Sequence, residues 1–286
     1  MTNSPKRAAD ACGLLLSALA MASFADDTAP DKSDYTLFNP TPEAAWRSFN
    51  TDRPPKANSP YTVDAGQFQY ETDLAVFSYG DTGIVRIQDW TVFDPTLKVG
   101  LTNTIDAEMQ FTPYESAVTK GAGGSSSVSG VGDTVARVKV NVLGDDRGAM
   151  AVALLPYIKL PTAKSGLGNG RVEGGLILPV SFSVPGGFTI IVMPEGDYLK
   201  NAAAGGYHVA LDFLLNVSHP LDKRWTVYSE VFTTQSFQTR EKPILTLDEA
   251  LTYTLSQNLQ LDCGGNFSLN GIAPRAQLFT GLSQRF

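Results

Sequence analysis

The stretch "GGLILPVSFSVPGGFTIIVMP", Gly174 to Pro194, decides the fold. Read with a period of two, Leu176, Leu178, Val180, Phe182 and Val184 share one face, while Gly175, Ile177, Pro179, Ser181 and Ser183 share the other. Pro185-Gly186-Gly187 breaks the run, and Phe188, Ile190, Val192 and Pro194 continue the bulky face. This is the pattern of a β-hairpin. A water-soluble sandwich and a lipid-embedded barrel both build such hairpins, so the medium its bulky face meets has to be read from the rest of the chain.

Alternation begins near Gly66 and runs to Phe286. In "GQFQYETDLAVFS", Phe68, Tyr70, Thr72, Leu74 and Val76 fall on one face, and Gln67, Gln69, Glu71 and Asp73 on the other, which is therefore wet. Continued, the pattern predicts about twelve strands, an even count that suits a closed antiparallel barrel with both ends on one side. They are Gly66–Ser78, Trp90–Leu101, Thr104–Glu115, Asp133–Leu143, Ala149–Leu160, Glu173–Val184, Phe188–Gly196, Gly206–Val217, Arg224–Thr233, Ile244–Leu255, Leu259–Leu269 and Pro274–Phe286.

The connections separate the two media. Thr102-Asn103, Gly144 to Gly148, Pro185 to Gly187, Ser218 to Lys223 and Ser256 to Asn258 are tight, whereas Tyr79 to Asp89, Ser116 to Gly132, Pro161 to Val172 and Asp197 to Gly205 are longer. Short turns on one rim and long loops on the other are the pattern of an outer-membrane barrel. The aromatics agree with it. Phe68, Tyr70, Phe182, Phe188, Trp225, Tyr253 and Phe286 are predicted near the periplasmic rim, and Phe93, Phe111, Tyr207 and Phe267 near the outer one. Two girdles mark the headgroup levels. The expected fold class is thus an all-β transmembrane antiparallel barrel, and the bulky face of the hairpin meets lipid.

The start of the chain reads as a signal peptide over residues 1–25: Lys6 and Arg7, the apolar run Gly13 to Ala22, then Ser23-Phe24-Ala25. The run is well short of the roughly twenty residues of a membrane-spanning helix. The position of Cys12, before the apolar run instead of after it, argues against lipoprotein processing. Lys6, Arg7 and Asp10 lie before the cut, so the 22 basic and 29 acidic residues leave a mature chain of net charge −8, which argues against nucleic acid as a partner. Only Cys263 survives cleavage, so no intramolecular disulfide can form. Residues 26–65 are rich in Pro, Asp, Thr and Asn without periodicity and read as an extended periplasmic segment; residues 66–286 form the barrel.

Little here points to an enzyme. With only His208 and His219, no His cluster for a metal and no Ser-His-Asp arrangement can be assembled, so no catalytic residue, metal or cofactor is expected. "KGAGGSSSVSGVG" lacks the Lys-Ser/Thr ending of a phosphate loop and precedes a strand. The inward faces are more informative: Glu71, Asp73, Asp94, Lys98, Asp106, Glu108, Arg137, Lys139, Lys159, Asp212, Glu230, Asp248, Asp262, Arg275 and Arg285. A dry core does not accept that many charges. Glu71, Asp73, Asp106, Glu108, Arg137, Lys139, Lys159, Asp212, Glu230 and Arg275 are the expected pore-lining set, either as a selectivity lining or as a paired network that fills the barrel. Glu249 falls on the lipid face, which suggests a register break or a rim position.

Phe49 to Gly80 and Gly132 to Ala163, with Thr51-Asp52-Arg53-Pro54 and Lys159-Leu160-Pro161-Thr162 as their most specific motifs, resemble the outer-membrane barrel family named for the MetA pathway of phenol degradation. The endings "LTYTLSQNLQLDCGGNFSLNG" and "LFTGLSQRF" fit as well, so the resemblance covers Asn50 to Phe286. It implies a twelve-stranded channel in a Gram-negative outer membrane, with small, aromatic or hydrophobic compounds as solutes. Gly281 and Phe286 match the terminal signal read by the outer-membrane assembly machinery, although Gln284 replaces its second aromatic.

The expected function is a monomeric channel in contact with outer-membrane lipid that passes small-molecule solutes; a plugged, non-transporting barrel is the alternative. Asp52, Arg53 and Pro54 stand at the centre of a stretch, Phe49 to Lys56, expected to fold into the barrel mouth as a gate. Arg53 is placed against Glu71 or Asp73, with Pro54-Pro55 holding the backbone extended. A periplasmic tail is the competing reading of the same stretch.

Overall fold

The computed structural model describes residues 31–146, 148–201, 205–238 and 241–286, and the expected signal peptide lies outside them. The strands are β1 (Phe68–Asp81), β2 (Val85–Thr102), β3 (Ile105–Phe111), β4 (Tyr114–Gly121), β5 (Gly124–Gly130), β6 (Thr134–Leu143), β7 (Met150–Leu160), β8 (Glu173–Ile177), β9 (Val180–Val184), β10 (Phe188–Lys200), β11 (Tyr207–Pro220), β12 (Trp225–Ser236), β13 (Ile244–Ser256), β14 (Leu259–Ser268) and β15 (Ala276–Arg285). Every pairing between these strands is antiparallel, and β1 pairs with both β2 and β15, so the sheet closes on itself.

Twelve positions make up the wall of this transmembrane barrel. Three of them hold two segments each. Leu178-Pro179 interrupts the ladder between β8 and β9, because Pro179 has no N–H to give. β3 and β4 both lie along β2, against Thr96–Thr102 and Val85–Val92 respectively, and β5 and β6 continue one another in the same way.

The regions expected as long loops at Tyr79 to Asp89 and Ser116 to Gly132 are different in the structure. β1 and β2 stay paired out to Asp81 and Arg86, and β4 and β5 form a hairpin that prolongs the wall beyond the barrel. Asp81 accounts for the first extension: its carboxylate accepts the Gly83 N–H at 2.8 Å and pairs with Arg86 across the turn, fixing a tight bend. Longer connections remain at 161–172, 201–206, 237–243 and 269–275.

Facing follows the alternation except where the ladder slips. In β11 Val209, Leu211, Phe213 and Leu215 are exposed on the outside, while Ala210, Leu214 and Asn216 are fully buried inside. Val76, however, is not on the outer face. A bulge at Leu74, opposite Phe93 with φ 62°, adds one residue to each of β1 and β2, and this exchanges the faces of everything that follows. Phe77 and Trp90 thereby come together outside, their rings 4.7 Å apart. They join Tyr198 stacked on Tyr207 at the outer level, with Trp225 against Tyr253, Phe188 against His219, and exposed Phe68 and Phe286 at the tight-turn level. Glu249 is outward without any register break: Ser229, its cross-strand neighbour, donates to its carboxylate at 2.8 Å.

Candidate functional site

Residues 31–47 lie along the tight-turn rim, and from there residues 50–65 run inside the barrel against its inner wall. Their path follows from what the inner wall offers. The Arg53 guanidinium meets Asp262 of β14 and Asp73 of β1; the N–H groups of Lys56 and Ala57 donate to Glu230 of β12. Asn58 N–H reaches the Met193 sulfur of β10, and the Pro60 carbonyl accepts from Asn141 of β6. Thr62 bonds Asp145 in the β6–β7 turn, Val63 N–H donates to Asp106 of β3, and Ala65 bridges Gly100 of β2. The chain therefore makes one circuit of the wall, passing the strands in descending order until it becomes β1.

Asp52 ties the circuit across its middle. Its carboxylate accepts the Ser59 N–H at 2.7 Å, takes Lys139 Nζ at 2.9 Å, and is also in contact with Lys98. Lys98 in turn pairs with Glu71 at 2.5 Å and Lys139 with Glu108 at 3.3 Å. Both lysines are essentially buried, at 3% and 1% exposure, so an ammonium survives there only because carboxylates surround it. Glu71 also accepts the N–H groups of Asp52 and Arg53, both at 3.0 Å. Pro54 follows a cis peptide bond after Arg53.

Arg53 lies in a fork. Nε and Nη2 donate to the two oxygens of Asp262 at 3.1 and 2.7 Å, and Nη1 sits 2.7 Å from Asp73. The ring of Phe279 lies under the guanidinium at 5.8 Å, and Gly281 leaves the room the fork needs. Lys56 Nζ donates to Asp248 at 2.6 Å and to Thr246 at 2.9 Å, 4.5 Å from the centre of the Phe232 ring. Between these charges Ala57 packs on a small apolar patch of the inner wall made by Leu155, Ile177, Met193 and Leu214.

A second network holds the entry at the rim. Arg47 lies within 3.1 Å of Asp145 and 3.0 Å of Asp146, and its N–H donates to Asp64; Lys32 reaches Asp146 at 2.6 Å. Asp145 is pushed up to about 6, because burial outweighs Arg47 and the Thr62 hydrogen bonds. For Asp146 burial also opposes ionisation, but hydrogen bonds from Arg47, Lys32 and Asn103 overcome it and hold the carboxyl at about 2.

The predicted pore-lining residues divide by depth. Glu71, Asp106, Glu108, Lys139 and Glu230 are buried against residues 52–63, with Asp73 half-buried beside them. Arg137, Lys159 and Asp212 are half-exposed on the outer side of that segment: Arg137 bonds Gln110, and Lys159 pairs with Asp133 and Glu173. Arg275 does not join them, since it precedes β15 in an exposed loop. Phe286 is 61% exposed on the outside, whereas Gly281 faces inward against Arg53. The alternation does not single out Arg47 at the rim, or Lys56 and Gly281 in the lumen, as partners of these networks. Lys56 does carry a signal, as a cation next to Pro54-Pro55 entering a wall rich in carboxylates. No group of His, Cys, Asp and Glu among the described residues is arranged to hold a metal ion.

A closed antiparallel barrel with two aromatic levels and an apolar outer face is an outer-membrane β-barrel. The chain belongs to the family described as "Putative MetA-pathway of phenol degradation", whose model matches residues 51–286. Among solved structures, it is similar to the COG4313 outer membrane channel from Pseudomonas putida F1, at 15% identity over 77% of this chain and 94% of that one, with a TM-score of 0.56. Weaker likenesses include the β domain of the Bordetella autotransporter Brka (12% identity, 76% of this chain and 98% of that one, TM-score 0.49) and the NanC porin (9%, 76% and 98%, 0.48). No curated protein matches the chain in sequence.

Proposed function

We propose that this protein is a channel of the Gram-negative outer membrane for small molecules, closed at rest by residues 31–67 acting as a plug. The observation that carries the reading is the contrast along the lumen. Beside the segment the wall charges are buried and several are ion-paired to it, whereas Arg137, Lys159, Glu195 and Asp212 beyond it are only partly buried, Arg137 bonding Gln110 and Lys159 pairing with Asp133 and Glu173 of the wall itself. A network that only fills the barrel would bury its charges along the whole lumen, while a vestibule leading to a plug leaves the outer ones partly exposed. Small aromatic or hydrophobic compounds are the solutes the reading favours: Leu155, Met193, Leu214 and Phe232 offer an apolar surface under Ala57, and the family description refers to phenol degradation.

A plugged, non-transporting barrel draws its support from the density of the ion pairs around Asp52 and Arg53. One experiment separates the two. Residues 26–56 are deleted with residues 1–25 retained, and the heat-modifiable barrel is examined in a planar bilayer. Higher conductance than the parent supports the plugged channel. Equal conductance reduces the segment to a tail, and silence of both proteins supports the non-transporting barrel.

A further inference from the structure

The wall groups that hold Arg53 and Lys56 have a chemistry of their own. Asp262, whose side chain is fully buried, presents both oxygens to one planar guanidinium, with Asp73 as a third acceptor and Phe279 as an aromatic floor. Fork-to-fork pairing over a ring is how guanidinium groups are recognised in general. Asp248, 4% exposed, and Thr246 receive a primary ammonium over Phe232. Docking a plug needs charge, but it does not need an aromatic face beneath each cation.

Two observations indicate that these places are not saturated by the segment. Asp248 Oδ1 is buried without a hydrogen-bond partner, as is Asp212 Oδ1 on the adjoining wall toward the outer mouth. The Lys56 side chain is also 31% exposed, twice the 15% of Arg53, so its site opens to the vestibule.

We infer that Arg53 and Lys56 occupy, as tethered ligands, two cation sites on the lumen wall that a soluble organic cation bearing a guanidinium or primary ammonium group can take in their place. The inference rests on residues 31–67 being a displaceable plug. A tethered group acts at an effective concentration in the millimolar range, so a free competitor binds the parent protein weakly, and more tightly once the tethered groups are removed.

The test uses the full chain with Arg53→Gln and Lys56→Gln. Agmatine, which carries one guanidinium and one primary ammonium, is titrated by calorimetry at constant ionic strength, with butylurea as a neutral control. The substituted protein is expected to bind agmatine saturably and about tenfold or more tighter than the parent, since the internal competitor is gone. Adding Asp262→Asn and Asp248→Asn is expected to abolish that binding. A heat-modifiable, substituted barrel that takes no agmatine overturns the inference; so does one that takes butylurea equally, or that keeps agmatine after both Asp→Asn changes. Should the double substitution prevent assembly, Lys56→Gln alone with propylamine, compared with and without Asp248→Asn, decides the ammonium site by the same criteria. Calorimetry needs no conductance and the deletion experiment needs no ligand, so failure of the inference and failure of the channel reading are told apart.

Discussion

The guanidinium of Arg53 fills the space that a side chain at Gly281 would need: a Cβ there would meet its Cζ at 2.6 Å. The last strand of the barrel and the segment ahead of the first are thus fitted to each other. Gly281→Val is predicted to expel the guanidinium, since its far end is easier to move than the wall. Losing hydrogen bonds between charged groups costs about 1.5–3 kcal/mol each. Trypsin cleavage after Lys56 in the unheated barrel should therefore accelerate by an order of magnitude or more. If cleavage is unchanged and only the yield of assembled barrel falls, position 281 serves assembly alone.

Asp52 balances two buried lysines, and its removal leaves Glu71 and Glu108 as their remaining partners. Breaking a buried pair by deleting one side costs about 3–5 kcal/mol. Asp52→Ala is predicted to loosen the plug and to move the reversal potential toward anion preference, because Lys98 and Lys139 then face the lumen uncovered. A potential shifted toward cations, or a plug as protease-resistant as the parent's, contradicts this role.

Reversing Arg137 and reversing Lys139 should give different results. Both lie on the inward face of β6, and the alternation alone does not tell them apart. Lys139 is 1% exposed and bound to Asp52 and Glu108, whereas Arg137 bonds Gln110 and is partly exposed. Arg137→Glu is predicted to leave stability nearly unchanged and to shift selectivity toward cations. Lys139→Glu puts a third carboxylate beside Asp52 and Glu108 and should release the plug. Identical behaviour of the two variants in bilayer and protease assays would remove the distinction.

What the sequence could and could not say follows from the range of the forces involved. Alternation is local, so the barrel, its aromatic levels and the inward charges were legible. The Leu74 bulge was not, because a one-residue slip leaves the composition intact and shows only when two strands are laid together. Nor were the outer ends of β1, β2, β4 and β5 legible: Gly and Ser in "KGAGGSSSVSG" suit a loop as well as a paired edge. Arg53 was legible as a cation seeking carboxylates, yet its partner Asp262 lies 209 residues away. Arg47 gave no such signal, since its partners Asp145 and Asp146 come from a turn whose proximity only barrel closure creates.

Those two turn aspartates make docking depend on pH in opposite directions. Asp145 titrates at about 6 when docked against its ordinary 3.8, so it favours docking fully below 3.8 and loses that contribution as pH rises through 6. Asp146, at about 2, favours docking above 3.8 and loses it as pH falls through 2. Of the two, Asp145 supplies the change between pH 4 and 7, on the order of 2 kcal/mol. Emission from Trp46, in a Trp90→Phe and Trp225→Phe background, should report looser packing at the upper end of this window. Asp145→Asn should flatten the response; a response that persists assigns it to another group.

Ala57 offers the last test, of how closely the segment must pass the wall. It is 1% exposed and packs on Leu155, Ile177, Met193 and Leu214, with its N–H held by Glu230 at 3.1 Å. The hydrogen bond pins the backbone, so a larger side chain cannot gain room by drawing away. Overpacking of this kind costs about 1–3 kcal/mol, and here the segment is the partner that can leave. Ala57→Leu is therefore predicted to free the plug while the barrel keeps its heat-modifiable migration, seen as faster cleavage after Lys56 and noisier conductance. Ala57→Gly, which removes a methyl group but fits, should change conductance little. If the leucine variant lowers barrel stability and leaves Lys56 protected, the wall yields before the segment does and the plug is not the mobile partner.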